Sequence, residues 1–263
     1  MNHRGGWALI QATWASWLQH RGFFFILAFG WMIPPLIYLL VWSTAASGKT
    51  IGGLNQGEFV AYYLVLILVN QLTFSQTSWT VGDLIRYGQM NRLLVRPLSP
   101  VYDALSSEVA GKVVYMLFDV PIVAALALIL HPELHLTPRN VLAFVPALGL
   151  AWMLRFFWGY WIALLAFWAA RADALLAVQD ALIFLLAGQV APIQLLPDGL
   201  RNAALALPFR YMVGFPVEVV TGQLDTFGLW TGFAFQVGWL VIALALSASV
   251  WRVGLKRYSA VGG

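Results

Sequence analysis

Residues Gly188–Gly222 read GQVAPIQLLPDGLRNAALALPFRYMVGFPVEVVTG. The stretch is too apolar for an ordinary loop. Pro192, Pro197, Pro208 and Pro216 also rule out one continuous helix. The pattern predicts a broken hairpin. A helix ends near Gly188, a short helix opens at Asp198 and runs to about Leu205, and Gly222 closes the segment. Such a hairpin either dips into a bilayer, sheltered by neighbouring helices, or lies as a helix pair on its surface.

Its flanks are apolar. Six stretches are each long enough to cross a bilayer: Phe23–Trp42, Phe59–Thr80, Ser107–Leu130, Val141–Trp168, Ala174–Val190 and Gly228–Val250. A crossing helix needs about 20 residues at roughly 1.5 Å each. The chain has 263 residues, 61% hydrophobic and 10% charged, whereas soluble domains carry roughly 25% charged residues. That composition excludes a water-soluble domain and predicts an all-α polytopic membrane protein. Its single transmembrane domain spans residues 1–263. Pro34 and Pro35 should kink the first span.

With no cysteine, disulfides, thiolate metal sites and cysteine nucleophiles are excluded. The net charge of +4 fits membrane topology better than nucleic-acid binding. No basic, aromatic-interleaved segment offers a nucleic-acid surface. The N-terminal residues show no cleavable signal peptide. Instead Trp7, Ile10, Trp14, Trp17 and Leu18 make one apolar stripe, so residues 6–20 predict an interfacial helix.

Lysines and arginines set the orientation. With the N-terminus inside, Arg4, Arg21, Arg86, Arg92, Arg96, Arg171, Arg252, Lys256 and Arg257 fall on the cytoplasmic side. Lys49, Arg139, Arg201 and Arg210 fall outside. Six spans then leave both termini cytoplasmic.

Polar residues within such a chain are the candidates for function. The loop at residues 82–100 reads GDLIRYGQMNRLLVRPLSP. Leu84, Ile85, Leu93 and Leu94 alternate with Arg86, Arg92 and Arg96, which predicts a short amphipathic helix along the membrane, ended by Pro97 and Pro100. It is either a docking helix or an ordinary positive-inside loop. The outer half of the second span is read as polar: Asn70, Thr73 and Thr77 share one face, and Gln71, Ser75 and Ser78 a neighbouring one. That face lines a wet pathway or bonds a partner helix. Asp119 and Arg155 are the sharpest intramembrane charges. They lie at matching depths, roughly 18 and 20 Å from the cytoplasmic ends of the third and fourth spans, so an ion pair is allowed. It is either a structural clasp or a substrate or gating contact. Asp180 is a further partner for Arg155.

Three apparent motifs lead nowhere. Ser47-Gly48-Lys49-Thr50 lacks the earlier glycine of a phosphate-binding loop. His131-Pro132-Glu133-Leu134-His135 is interrupted by proline and reads as a solvated loop rather than a metal helix. Gly228 and Gly232 make a weak small-residue packing motif.

The interfacial N-terminal stretch, the six spans, the basic loop after the second and the proline-broken outer hairpin come in an order that resembles permease subunits of type-2 ATP-binding-cassette exporters. Asn91–Pro100, NRLLVRPLSP, is similar to the form of a bacterial branch with paired permeases. The resemblance implies an export permease in the bacterial plasma membrane, with cytoplasmic ATPase subunits and a second permease, identical or related, as partners. ATP and magnesium would belong to the ATPase; no cofactor or covalent chemistry is expected of this chain. Coupling contacts would fall on Trp14, Trp17, Leu84, Ile85, Arg86, Arg92 and Leu93. The second and fifth spans would face the partner permease, with Asn70, Gln71, Thr73, Thr77, Gln179 and Gln189 along the route. Gly188 and the four hairpin prolines would shape an outer gate. Two other classes stand beside this one. An ion-coupled secondary transporter would use Asp119, Arg155 and Asp180. An intramembrane lipid enzyme would need His, Asp or Ser clustered at one depth.

Overall fold

The computed structural model describes residues 21–96, 99–169 and 172–258. The expected interfacial helix at residues 6–20, with Trp14 and Trp17, lies outside them, as do Pro97 and Arg171. Among the described residues the regular structure is helical, apart from one isolated bridge between Ile51 and Leu54. The all-α polytopic class is correct.

Four helical segments are long and apolar enough to cross a membrane: Gln56–Arg86, Pro100–Leu130, Pro138–Phe167 and Thr226–Leu255. Two shorter apolar helices, Phe29–Ala45 and Ala174–Leu186, occupy the places of the expected first and fifth spans. In chain order the elements are α1 (Arg21–Ala45), α2 (Gln56–Thr73), α3 (Thr77–Arg86) and α4 (Asn91–Leu94). They continue with α5 (Pro100–Leu130), α6 (Pro138–Leu164), α7 (Ala172–Leu186), α8 (Asp198–Ala206), α9 (Phe209–Met212), α10 (Gly214–Val220) and α11 (Thr226–Leu255).

Capping residues start these helices. Asn55 and Glu58 form a reciprocal capping box on α2, with both bonds at 2.9 Å. Pro100 opens α5 from its first turn, where the missing N–H costs nothing. This starts the third span earlier than Ser107. The Asp225 side chain accepts from Gly228 N at 2.7 Å and starts α11. Helix α1 runs unbroken through Pro34 and Pro35.

Helix α6 is the hub and packs against α11, α10, α3, α2 and α7. Helix α2 is the most enclosed span, ringed by α1, α5, α6 and α10. The connections expected outside gather at one end. There Asn55 Nδ2 donates to Glu133 Oε2 at 2.8 Å, and Glu133 N donates to Gly57 O at 3.0 Å. His131 ends α5 in the left-handed region, with φ 49°, instead of joining His135 on a helix.

The second span departs most from expectation. It is not one helix over Phe59–Thr80 but breaks between α2 and α3, with Phe74 in extended backbone at φ −53°, ψ 137°. No glycine or proline marks the place. The Thr73 hydroxyl bonds back to Val69 O at 2.9 Å, and Ser78 bonds to Ser75 O at 3.3 Å. Such side-chain bonds compete with the helical ladder. The polar segment also lies next to the basic loop. With the N-terminus inside, the second span runs inward, so Asn70–Ser78 belongs to the cytoplasmic half and not the outer half.

The hairpin is split in character. Helix α8 lies largely exposed, while residues 208–220 are buried throughout. The buried part packs against α2, α6, α7 and α11, so it does not lie on the surface as a free pair. Gly188 adopts φ 78° and packs against the Tyr62 hydroxyl, where a larger residue would collide.

Candidate functional site

A helix end inside a bilayer leaves carbonyls that must find partners within the protein. At the end of α2 two cations supply them. Lys112 of α5 donates from Nζ to the Phe74 carbonyl at 2.6 Å and to Glu108 Oε2 at 3.1 Å. Ser75 Oγ donates to the other Glu108 oxygen at 3.0 Å. From α6, Arg155 Nη1 reaches Asn70 Oδ1 at 2.9 Å, Thr73 Oγ1 at 3.2 Å and Asn70 O at 3.3 Å. Its guanidinium also lies 5.3 Å from the centre of the Phe74 ring. Positive charge suits the carbonyl end of a helix. The break therefore persists because α5 and α6 both bring a cation to it.

The expected Asp119–Arg155 ion pair does not form. Arg155 is engaged by α2 instead. Asp119 is fully buried, and neither of its oxygens has a hydrogen-bond partner among the described residues. Matching depth along two helices did not make their side chains face each other. Asp180 on α7 accepts from Gln179 Nε2 at 3.4 Å.

The expected route residues separate into groups. Asn70 and Thr73 are buried and serve α6, so their face bonds a neighbouring helix within this chain. Gln71 faces a pocket against α5. Thr77 opens α3. Gln179 is buried on α7, and Gln189 is buried where the hairpin begins. The sequence reading missed Glu108 and Lys112 as site residues. Opposite charges four residues apart inside an apolar span are the signal that could have found them.

The basic loop is a helix–turn–helix rather than one helix along the membrane. Gly88, with φ 68°, turns the chain between α3 and α4. Ile85, Met90 and Leu93 bury their side chains with Val81, Phe156, Tyr160 and Leu164. Leu84 packs on the edge of that cluster. The apolar side of the loop thus rests on α6. Arg86 and Arg92 are exposed on the other side, with Arg92 Nη2 donating to Gln89 Oε1 at 2.9 Å. Pro100 starts α5, so it opens the next span as well as ending the loop.

At the other end, side chains from three spans hold the hairpin. Tyr62 OH donates to Gly188 O at 2.9 Å. Tyr63 OH and Trp42 Nε1 both donate to Val190 O, at 3.0 and 2.8 Å. Gln236 Nε2 bridges Tyr211 O and Ala147 O, each at 3.0 Å. Arg210 and Glu218 form a buried two-pronged pair in which Nε lies 3.2 and 3.1 Å from the carboxylate oxygens and Nη2 also bonds Oε2. Burial opposes the Arg210 charge, and the Glu218 carboxylate outweighs burial, so the guanidinium is held above its ordinary pKa. Pro192, Pro208 and Pro216 are buried and Pro197 is exposed. Gly232 packs against the Phe215 ring of α10, so this glycine lets the hairpin approach α11 closely.

The family described as ABC-2 family transporter protein matches residues 32–262, which hold the broken second span, the basic tip and the hairpin. The chain belongs to the ABC-2 transporter family. No curated protein and no solved structure matches it. Membership makes this chain a membrane permease component of an ABC transporter. The basic tip and the hairpin lie at opposite ends of the fold, with buried Arg155 and half-buried Lys112 at the α2 break between them.

Proposed function

We propose that the chain is the permease subunit of an exporter in a bacterial plasma membrane. A separate cytoplasmic ATPase drives it, and its termini lie on that ATPase's side. The observation that carries this reading, beside family membership, is the α3–α4 tip. Its apolar side is anchored on α6 while Arg86 and Arg92 project from it. A tip packed in this way moves as a unit when pushed. ATP and magnesium act in the partner. ATP binding closes the ATPase pair, the tip shifts, and the motion enters the membrane at the α2–α3 break, where the helix is not continuous.

A second permease, the same chain or a relative, packs against the exposed apolar faces of α1 and α7. These faces adjoin where Tyr38 and Phe184 meet at 5.9 Å. Leu175, Val178 and Leu185 of α7 and Ile33, Ile37 and Leu40 of α1 are exposed there. The enclosure of α2 by its own chain favours this face over the expected second-span face. The hairpin caps the outer end of the route.

Reversing charge at the tip tests the coupling. The variant Arg86→Glu/Arg92→Glu, assayed in vesicles with the co-purifying ATPase, should insert normally, keep ATP hydrolysis and lose ATP-driven transport. Hydrolysis and transport coupled as in the wild type would refute this role for the tip. Transport that persists with a catalytically dead ATPase and collapses with the proton gradient would instead identify an ion-coupled carrier.

A further inference from the structure

A small pocket of about 100 Å³ opens between α3 and α5, beside the broken span. Its wall includes Gln71, Gln76, Thr80, Glu108, Lys112 and Tyr115. Both Glu108 oxygens already accept hydrogen bonds, from Ser75 and Lys112. The ammonium of Lys112 has three donors; the Phe74 carbonyl and Glu108 take two, and Nζ also lies 5.5 Å from the centre of the Trp152 ring without a third hydrogen-bond acceptor among the described residues. The Gln76 side chain, on the same wall, makes no capping bond to the start of α3. The pocket therefore has donors left over and calls for an occupant rich in acceptors. Arg155 adds a second positive charge behind the α2 end.

Depth narrows the choice further. Asp103 pairs with Arg96 at 3.3 Å near the start of α5, and both side chains are partly exposed. Ser107 and Lys112 lie about 6 and 14 Å farther along that helix. The pocket mouth, with exposed Gln76 and Thr80, thus sits at the level where lipid head groups meet acyl chains. We propose that this pocket binds an oxyanion head group, a phosphate or carboxylate, with Lys112 supplying the charge-assisted bond. An amphiphile entering sideways from that leaflet and a soluble anion share this chemistry. As a cargo site the pocket rests on the permease reading; as a binding site it stands without it.

The test uses the purified chain in neutral detergent, with no ATPase present, so its result is separate from any transport result. Native mass spectrometry compares retained phosphatidic acid with phosphatidylcholine of the same acyl chains. A thermal-shift series adds inorganic phosphate alone. The expected result is a preference of about tenfold for phosphatidic acid, the worth of one added charge-assisted bond. Lys112→Gln should abolish it, and so should Thr80→Trp, which blocks the exposed mouth and leaves the Lys112–Glu108 pair intact. Stabilisation by inorganic phosphate alone, lost in both variants, would assign the oxyanion site to a soluble ligand and overturn the amphiphile as its source. Equal retention of the two lipids with no effect of phosphate, or a preference surviving both variants, would overturn the proposal.

Discussion

Consider Arg210 and Glu218, which lock α9 to α10 inside the hairpin. Their side chains are only 8% and 5% exposed. That burial decides the size of the effect. An exposed pair is worth about 0–1 kcal/mol, whereas removing one partner of a buried pair costs about 3–5 kcal/mol, because the other charge is left alone. Arg210 also lies over the rings of Tyr211 and Phe215, at 5.4 and 5.9 Å, so no water replaces the lost partner cheaply. For a chain of this size 1 kcal/mol moves the unfolding midpoint by roughly 2–4 °C. Glu218→Leu alone, or Arg210→Met alone, should therefore lower the midpoint by about 6–20 °C. The double variant carries no orphan charge and should recover to within about 4 °C of the parent, because apolar replacement of a whole buried pair is often neutral or stabilising. The assay is thermal unfolding of the purified protein in one detergent, for all four members of the cycle. If the single variants shift by less than about 3 °C, the pair behaves as solvated. If the double variant falls by the sum of the two single shifts, the two charges are not coupled. Either result refutes the reasoning.

Three further outcomes follow from the same structure. Asp119→Leu should leave stability unchanged or raise it by up to about 3 kcal/mol, since it removes a buried carboxylate with no hydrogen-bond partner among the described residues; a loss above about 1 kcal/mol in thermal unfolding would mean that a partner exists. Gly214→Ala should destabilise by about 1–3 kcal/mol, because a Cβ there would stand 2.7 Å from the backbone oxygen of Ala187; an unchanged midpoint would show that α7 and α10 can part freely. Tyr62→Phe strands the buried Gly188 carbonyl and should cost about 1–3 kcal/mol, with faster amide exchange across residues 187–192 as the local readout. Exchange as slow as in the parent would mean that the hydroxyl does not hold the hairpin.

Much of this architecture was legible in the residues. Apolar runs of bilayer length and prolines placed where a helix must stop are local signals, and they located the hairpin and its short helix from Asp198. The basic tip was legible in charge, but its shape was not. Gly88 divides it, and Ile85 and Leu93 turn toward α6, which lies far along the chain. The break after Thr73 was illegible for a related reason. Nothing in Asn70–Ser78 forbids a helix, and the competing bonds become worth making only when Lys112 and Arg155 arrive.

The sequence by itself determined that this chain dissolves in lipid as helices, where its basic loop lies, and that a proline-broken hairpin precedes the last span. These properties depend on composition and on backbone rules that act over a few residues. Only the tertiary structure decided which polar groups meet. Lys112 reaches Phe74 across 38 positions and Arg155 reaches Asn70 across 85, while Asp119, at a depth matching that of Arg155, finds no hydrogen-bond partner among the described residues. Rotation of one helix against another sets those meetings, and packing over the whole bundle fixes that rotation.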